Sequence, residues 1–275
     1  MSVPFALSSA AAYGAGDFAG GLAARRTPVL TVTAVAQAAG LVALLPAALL
    51  VPGHVSPAAV GIGAVAGVSG MAGLLLYMRG LATGPMGLVA PLSSVVGAGL
   101  PLVAGVVGGE RPGGIAWLAL VVALVAIVLA GVGSRGDAAA GAGLVYGLGA
   151  GLGFGLFFVA VAATPEGSGL WPLVVGRVVS VTLLVAVLLG TGRLAGRGRP
   201  AAIGLMVLCG LLDTAANVLF LLATRTGALS VSGVLVSLYP VVVILLARFV
   251  LRERLTGLQL TGVGLALTAS ALLAM

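Results

Sequence analysis

Long apolar stretches alternate with short polar breaks along the whole chain, and the stretches are about as long as a bilayer is thick. A helix crosses the hydrocarbon core with about 20 apolar residues at about 1.5 Å rise each. Blocks of that length run over 3–22, 29–51, 57–78, 85–108 and 113–133, then over 141–163, 168–190, 201–222, 228–249 and 256–275. The breaks carry turn-forming and charged residues: Arg25-Arg26-Thr27-Pro28, Pro52-Gly53-His54, Glu110-Arg111-Pro112, Ser134-Arg135-Gly136-Asp137, Pro165-Glu166-Gly167 and Arg197-Gly198-Arg199-Pro200. The weakest break lies between the third and fourth blocks, where only Arg79, Gly80 and Gly84-Pro85 interrupt. No block shows a clean polar stripe at period 3.6, which a soluble amphipathic helix would carry. The pattern predicts ten spanning helices. The first block lacks the charged start of a signal peptide and reads as a span.

Composition strengthens this reading. Hydrophobic residues make up 61% of the chain and charged residues 7%, against about 25% charged in soluble domains. Lipid must therefore face most of the surface. The formal net charge is +7, and all thirteen basic residues are Arg. They stand singly or in small groups between apolar blocks. Nucleic-acid binding would need a basic face with aromatic platforms, so it is not expected. Cys209 and His54 are the only cysteine and histidine, which excludes an internal disulfide and a Cys/His metal cluster. No cofactor is expected. The 45 glycines suit close helix packing in lipid, where small residues let backbones approach.

The second half repeats the first. Shifted back by 143 residues, Thr226-Gly227 falls on Thr83-Gly84, Leu235 on Leu92, Ser237 on Ser94, Ala247 on Ala104 and Glu253-Arg254 on Glu110-Arg111. Gly204, Gly210 and Ala215 fall on Gly61, Gly67 and Ala72, and at a shift of about 140 Arg177 lands near Gln37. The halves, 1–136 and 137–275, hold five blocks each. An odd number of spans makes the second half enter the membrane upside down. Such inverted repeats build transporters with a binding site near midplane. The expected fold is thus an all-α integral membrane protein, ten transmembrane helices forming two inverted five-helix repeats around a central cavity.

Two segments, APLSSVVGAGLPLVAGVVGGERP (90–112) and LVSLYPVVVILLARFVLRERL (235–255), each close on a Glu-Arg pair before the next helix; AYGAGDFAGG (12–21) lies in the first block. With the five-plus-five layout, they resemble the EamA branch of the drug/metabolite transporter superfamily over the whole chain. The resemblance implies export or exchange of small metabolites through a cavity lined mainly by spans one, three, four, six, eight and nine, with spans five and ten peripheral. The family's ninth-span proline matches Pro240; its first-half counterpart is Gly97, with Pro101 one turn on. The motifs identify the superfamily, not the substrate.

Basic loops stay cytoplasmic. The odd-numbered connections hold Arg25, Arg26, Arg79, Arg135, Arg193, Arg197, Arg199, Arg252 and Arg254, with Arg248 nearby; the even ones hold Arg111 and Arg225. The count places both termini outside, whereas the resemblance implies cytoplasmic termini. We follow the arginines and expect a multi-pass protein of the cell membrane.

Ionisable residues inside a bilayer normally face a cavity or a partner. Arg177 lies about 14 Å into the seventh block, and Asp213, on the antiparallel eighth, about 12 Å from the same face. They are expected to face each other, as a substrate site or as a structural ion pair. Asp17 and Gln37 share a level on the first two blocks, the mirror position in the other repeat, with an amide in place of the arginine. A carboxylate without a cation in low dielectric tends to hold a proton. Asp17 is therefore the candidate for a coupling proton or a substrate amino group. Tyr13, Tyr77, Ser93, Ser94, Asn217, Ser237 and Tyr239 are neutral candidates, for the substrate or for neighbouring backbone. Glu110, Arg111, Glu253 and Arg254 read as helix-junction residues. Trp117 and Trp171 read as interfacial anchors. Phe157 and Phe158 face lipid or cap the cavity. The glycines of 146–155 follow no strand, so they are not a dinucleotide loop; Gly149 and Gly153 form a GxxxG face.

The reading favoured by these residues is a secondary transporter, an exporter or exchanger of small polar metabolites such as amino acids or drug-like compounds. It would work by alternating access, with spans four and nine loosened by Pro91, Pro101 and Pro240. Its partners are membrane lipid and a small-molecule substrate. Nothing in the sequence fixes the oligomeric state; a monomer suffices. The alternatives are a passive channel or structural membrane protein, and an intramembrane enzyme. The last lacks a nucleophile–base set, since Cys209 and His54 stand alone.

Overall fold

The computed structural model describes residues 2–84, 86–109, 138–190 and 200–252, with scattered positions in 113–125 and 257–272. The described elements are helices: α1 Ser2–Ala24, α2 Val29–Leu50, α3 Pro57–Thr83, α4 Met86–Val107, α5 Ala138–Ala162, α6 Trp171–Gly190, α7 Pro200–Thr226, α8 Leu229–Val236 and α9 Tyr239–Val250. A 3₁₀ turn at Glu166–Ser168 precedes α6. Blocks 113–133 and 256–275 lie mostly outside the described residues; the described positions at 114–125 and 257–272 are helical. Glu110, Arg111, Glu253 and Arg254 also lie outside the described residues.

Among the described residues six helices are long and apolar enough to cross a membrane: those at Val29–Leu50, Pro57–Thr83, Leu88–Val107, Gly141–Ala162, Trp171–Gly190 and Ala202–Thr226. α1 is long enough but less apolar, with Ser8, Ser9, Asp17 and many glycines. Its position explains the difference. It packs on α7, α8, α9 and α3, and a helix enclosed by other helices need not match lipid.

The block at 228–249 is not one helix. It breaks at Ser237 and Leu238, whose ψ angles of −2° and −6° leave the helical range. Pro240 stands in the first turn of α9 and has no N–H to offer the carbonyl of Val236. The Ser237 hydroxyl instead returns to the Gly233 carbonyl at 2.7 Å. The break corrects the expectation of a single kinked ninth span. α4, by contrast, runs unbroken through Pro91 and Pro101. The Ser93 and Ser94 hydroxyls bond the carbonyls of Ala90 and Pro91 there.

Packing pairs the halves reciprocally. α1 packs chiefly on α7 and α5 chiefly on α3; α2 packs on α7 and α6 on α3; α2 meets α6, and α4 meets α9. Glycine makes the tightest of these contacts. A Cβ on Gly210 of α7 would overlap the carbonyl oxygen of Ala36 on α2, whereas one on Gly204 would meet nothing within 4 Å. Gly210→Ala should therefore lower stability by about 1–3 kcal/mol, the usual cost of overpacking. Gly204→Ala should leave it unchanged. Melting of the purified protein in detergent checks both.

Two apolar cores form, one at each end of the bundle. At the end carrying connection 25–28 and Gly84, the core holds Phe18, Val32, Tyr77, Met78, Leu81, Val89, Met206 and Val243. At the end carrying 51–56, 163–170 and 227–228, it holds Leu44, Ala66, Phe158, Leu173, Phe220 and Leu235. Connections at this second end are tied together: His54 N–H donates to Gly167 O at 3.0 Å, and Arg225 donates to Thr164 Oγ1 and Pro165 O at 3.0 and 2.9 Å. The buried ion pair lies between the two cores.

Candidate functional site

Between the cores lies a hollow lined by α1, α2, α3, α5, α6, α7 and the first residue of α9. Leu44, Ala66, Pro172 and Leu173 carry it toward the end where His54 and Gly167 meet. The opposite end is filled by Tyr77, Met78 and Leu81, each no more than 1% exposed.

Arg177, on α6, is the hub of the polar wall. One guanidinium nitrogen donates to Gln37 Oε1 and the other to Asp213 Oδ2, the latter as an ion pair. The guanidinium thus joins α2 of the first half to α7 of the second. Asn217, one turn beyond Asp213, donates to its carboxylate at 3.1 Å and to its carbonyl at 2.6 Å. Tyr13 of α1 closes the chain by donating to Asn217 Oδ1 at 2.8 Å. Gln37, Arg177, Asp213, Asn217 and Tyr13 therefore form one connected network, and all five line the hollow.

Asp17 lines the same hollow, buried to 7% exposure. Among the described residues it has no ion-pair partner. Its polar neighbour is the hydroxyl of Tyr77, which makes no hydrogen bond of ordinary geometry. Gln37 does not form the mirror pair with Asp17 that its level implied; it accepts from Arg177. The reason is packing: α2 and α6 hold corresponding places in the two halves and lie against each other, so matching positions meet face to face.

The remaining candidates divide. Tyr239 lines the hollow; its hydroxyl lies 2.5 Å from Ser93 Oγ and donates weakly to Ala90 O at 3.3 Å. This bond ties α9 to α4 across the halves. Ser93, Ser94, Ser237 and Tyr77 are buried away from the hollow, the serines bonding nearby carbonyls. Tyr77 packs edge-on against Phe154 and Tyr239. Tyr239→Phe should keep that packing while losing the link to Ser93, at a cost of about 1 kcal/mol, readable as a lower melting temperature.

Sequence reasoning missed Thr214, Ser180, Met71, Phe154 and the glycines of the wall, all of which line the hollow. Ser180 was legible in principle, three residues after Arg177 and so on the same helical face. The aromatic residues were not, because phenylalanine in an apolar block carries no sign of which way it faces.

The profile of the EamA-like transporter family matches residues 1–132 and 141–275. The chain belongs to that family. Membership places this EamA-like protein in the drug/metabolite transporter superfamily, as a multi-pass membrane protein in contact with lipid and of a class that handles small molecules. A solved crystal structure of a protein shares its fold, at TM-score 0.68 and 19% identity over 98% of both chains. No curated protein matches the sequence. The hollow differs in two respects from the lining the resemblance implied: spans two and seven (α2 and α6) supply Gln37 and Arg177 to the wall, and among the described residues span four (α4) supplies none.

Proposed function

We propose that this EamA-like protein is a secondary transporter of small polar or drug-like molecules, binding them in the hollow between its halves and working by alternating access in the cell membrane. The observation that carries the reading is the polar network at mid-depth, lining a hollow that is filled at one end by Tyr77, Met78 and Leu81. Charged groups are expensive inside a bilayer unless they face a cavity or a partner. Here an ion pair, two amides and a second carboxylate line one hollow.

Several features support two inverted repeats rocking about this site. Helices in corresponding places pack reciprocally. Arg177 and Gln37, which match at a shift of 140 residues, meet each other. The break between α8 and α9 adjoins Tyr239, which lines the hollow, and discontinuous helices form the sites of many transporters. The core of Tyr77, Met78 and Leu81 would then be the closed gate. The arginine-rich connections assign the closed end to the cytoplasm. Asp17, lacking a cation, is the proposed site of proton coupling.

Flux measurements test the reading against a channel or scaffold. The purified full chain in sealed liposomes should take up at least one member of a panel of radiolabelled amino acids, amines and drug-like compounds with saturable kinetics. Flux linear in concentration, or none across the panel, would contradict it.

A further inference from the structure

The charges around the hollow do not balance, and the imbalance selects a ligand. Three ionisable carboxylate or guanidinium groups line it: Asp17, Asp213 and Arg177. Arg177 and Asp213 neutralise each other, and the second guanidinium nitrogen of Arg177 is engaged by Gln37. Among the described residues no other cationic residue lines the hollow. Asp17 therefore leaves the wall with one carboxylate that no side-chain cation among the described residues offsets, so that it takes either a proton or a cationic ligand.

The hollow also has an aromatic lining. Phe154, Phe157, Phe158, Tyr13 and Tyr239 form it. The rings stand edge to face: Tyr13 and Phe158 at 6.1 Å and 71°, Phe157 and Phe158 at 5.6 Å and 63°. Ring faces carry negative potential and attract cations. Gly70 keeps room beside them, since a Cβ there would press on the Phe157 ring at 2.9 Å.

Resting on the transport reading, we infer that the hollow takes a monovalent organic cation, an amine or quaternary ammonium with an aromatic or apolar body, with Asp17 as its counter-ion. Aromatic faces hold the body and add to the attraction for the positive charge. A carboxylate ligand would meet Asp17 and the ring faces, both repulsive. A zwitterion would have to draw Arg177 away from two partners, leaving Asp213 buried without its cation. Discrimination thus comes from repulsion as well as attraction.

Three solutes with the same phenyl body and different charge decide it: phenethyltrimethylammonium, phenylalanine and phenylpropionate. Equilibrium dialysis of the purified full chain in detergent is expected to show saturable binding of the quaternary ammonium, about tenfold or more tighter than the other two, a gap of about 1.4 kcal/mol. Asp17→Asn should weaken it about tenfold, and Asp17→Glu should retain most of it. Equal or tighter binding of phenylalanine or phenylpropionate overturns the inference, as does no binding of the ammonium. Unchanged ammonium binding by an Asp17→Asn protein that melts like the native one also overturns it. The wild-type series decides the matter even where a variant fails to fold. The transport reading fails separately, when no solute of the flux panel saturates.

Discussion

Asp17→Asn is expected to abolish proton-driven accumulation in sealed vesicles while leaving solute exchange measurable. Asparagine keeps the size and hydrogen-bonding shape of the side chain but is locked in a neutral form. A carrier that alternates between a proton and a substrate at one carboxylate loses the gradient coupling and keeps the ability to swap one substrate for another. The position favours this role. Asp17 is buried, lines the hollow and has no ion-pair partner among the described residues. The measurement is labelled-solute accumulation under an imposed pH gradient, beside exchange at equal pH. Full proton-driven accumulation in the variant would remove Asp17 from the coupling step.

Arg177→Met should destabilise the protein by about 3–5 kcal/mol, because it strands the buried Asp213 carboxylate without its cation. Gln37 would lose its donor as well. The double variant Arg177→Met/Asp213→Leu removes both charges and should regain most of that stability, since apolar replacement of a whole buried pair is often neutral. Flux separates scaffold from function. If the pair only holds α6 to α7, the stable double variant transports normally. The account expects it to melt near the native temperature and to carry no saturable flux. Melting curves and vesicle uptake on the same preparations give both answers.

Much of this was legible in the sequence. Helix length and hydropathy placed α2 and α4 to within a residue or two. The 1.5 Å rise put Arg177 and Asp213 at one depth, and the two form an ion pair. Depth alone carries no azimuth, however. Gln37 sits at Asp17's level, yet it turns toward Arg177 because α2 lies against α6. The break before Tyr239 depends on Pro240 losing its bond within one helix, whereas Pro91 and Pro101 leave α4 continuous; a proline in the sequence does not say which outcome holds. Phe157 and Phe158 read equally as lipid-facing or cavity-capping until α3 and α5 are seen packed through Gly73 and Gly153.

Counterflow tests the central claim most directly. Vesicles carrying the protein are preloaded with an unlabelled solute that saturates, then diluted into a trace of the same solute in labelled form. A carrier whose hollow opens to one side at a time drives a transient overshoot of label inside, because each outward trip returns a labelled molecule. That overshoot is the result expected here. Label rising smoothly to equilibrium, with no overshoot and no effect of preloading, would mean an open pore and contradict the account.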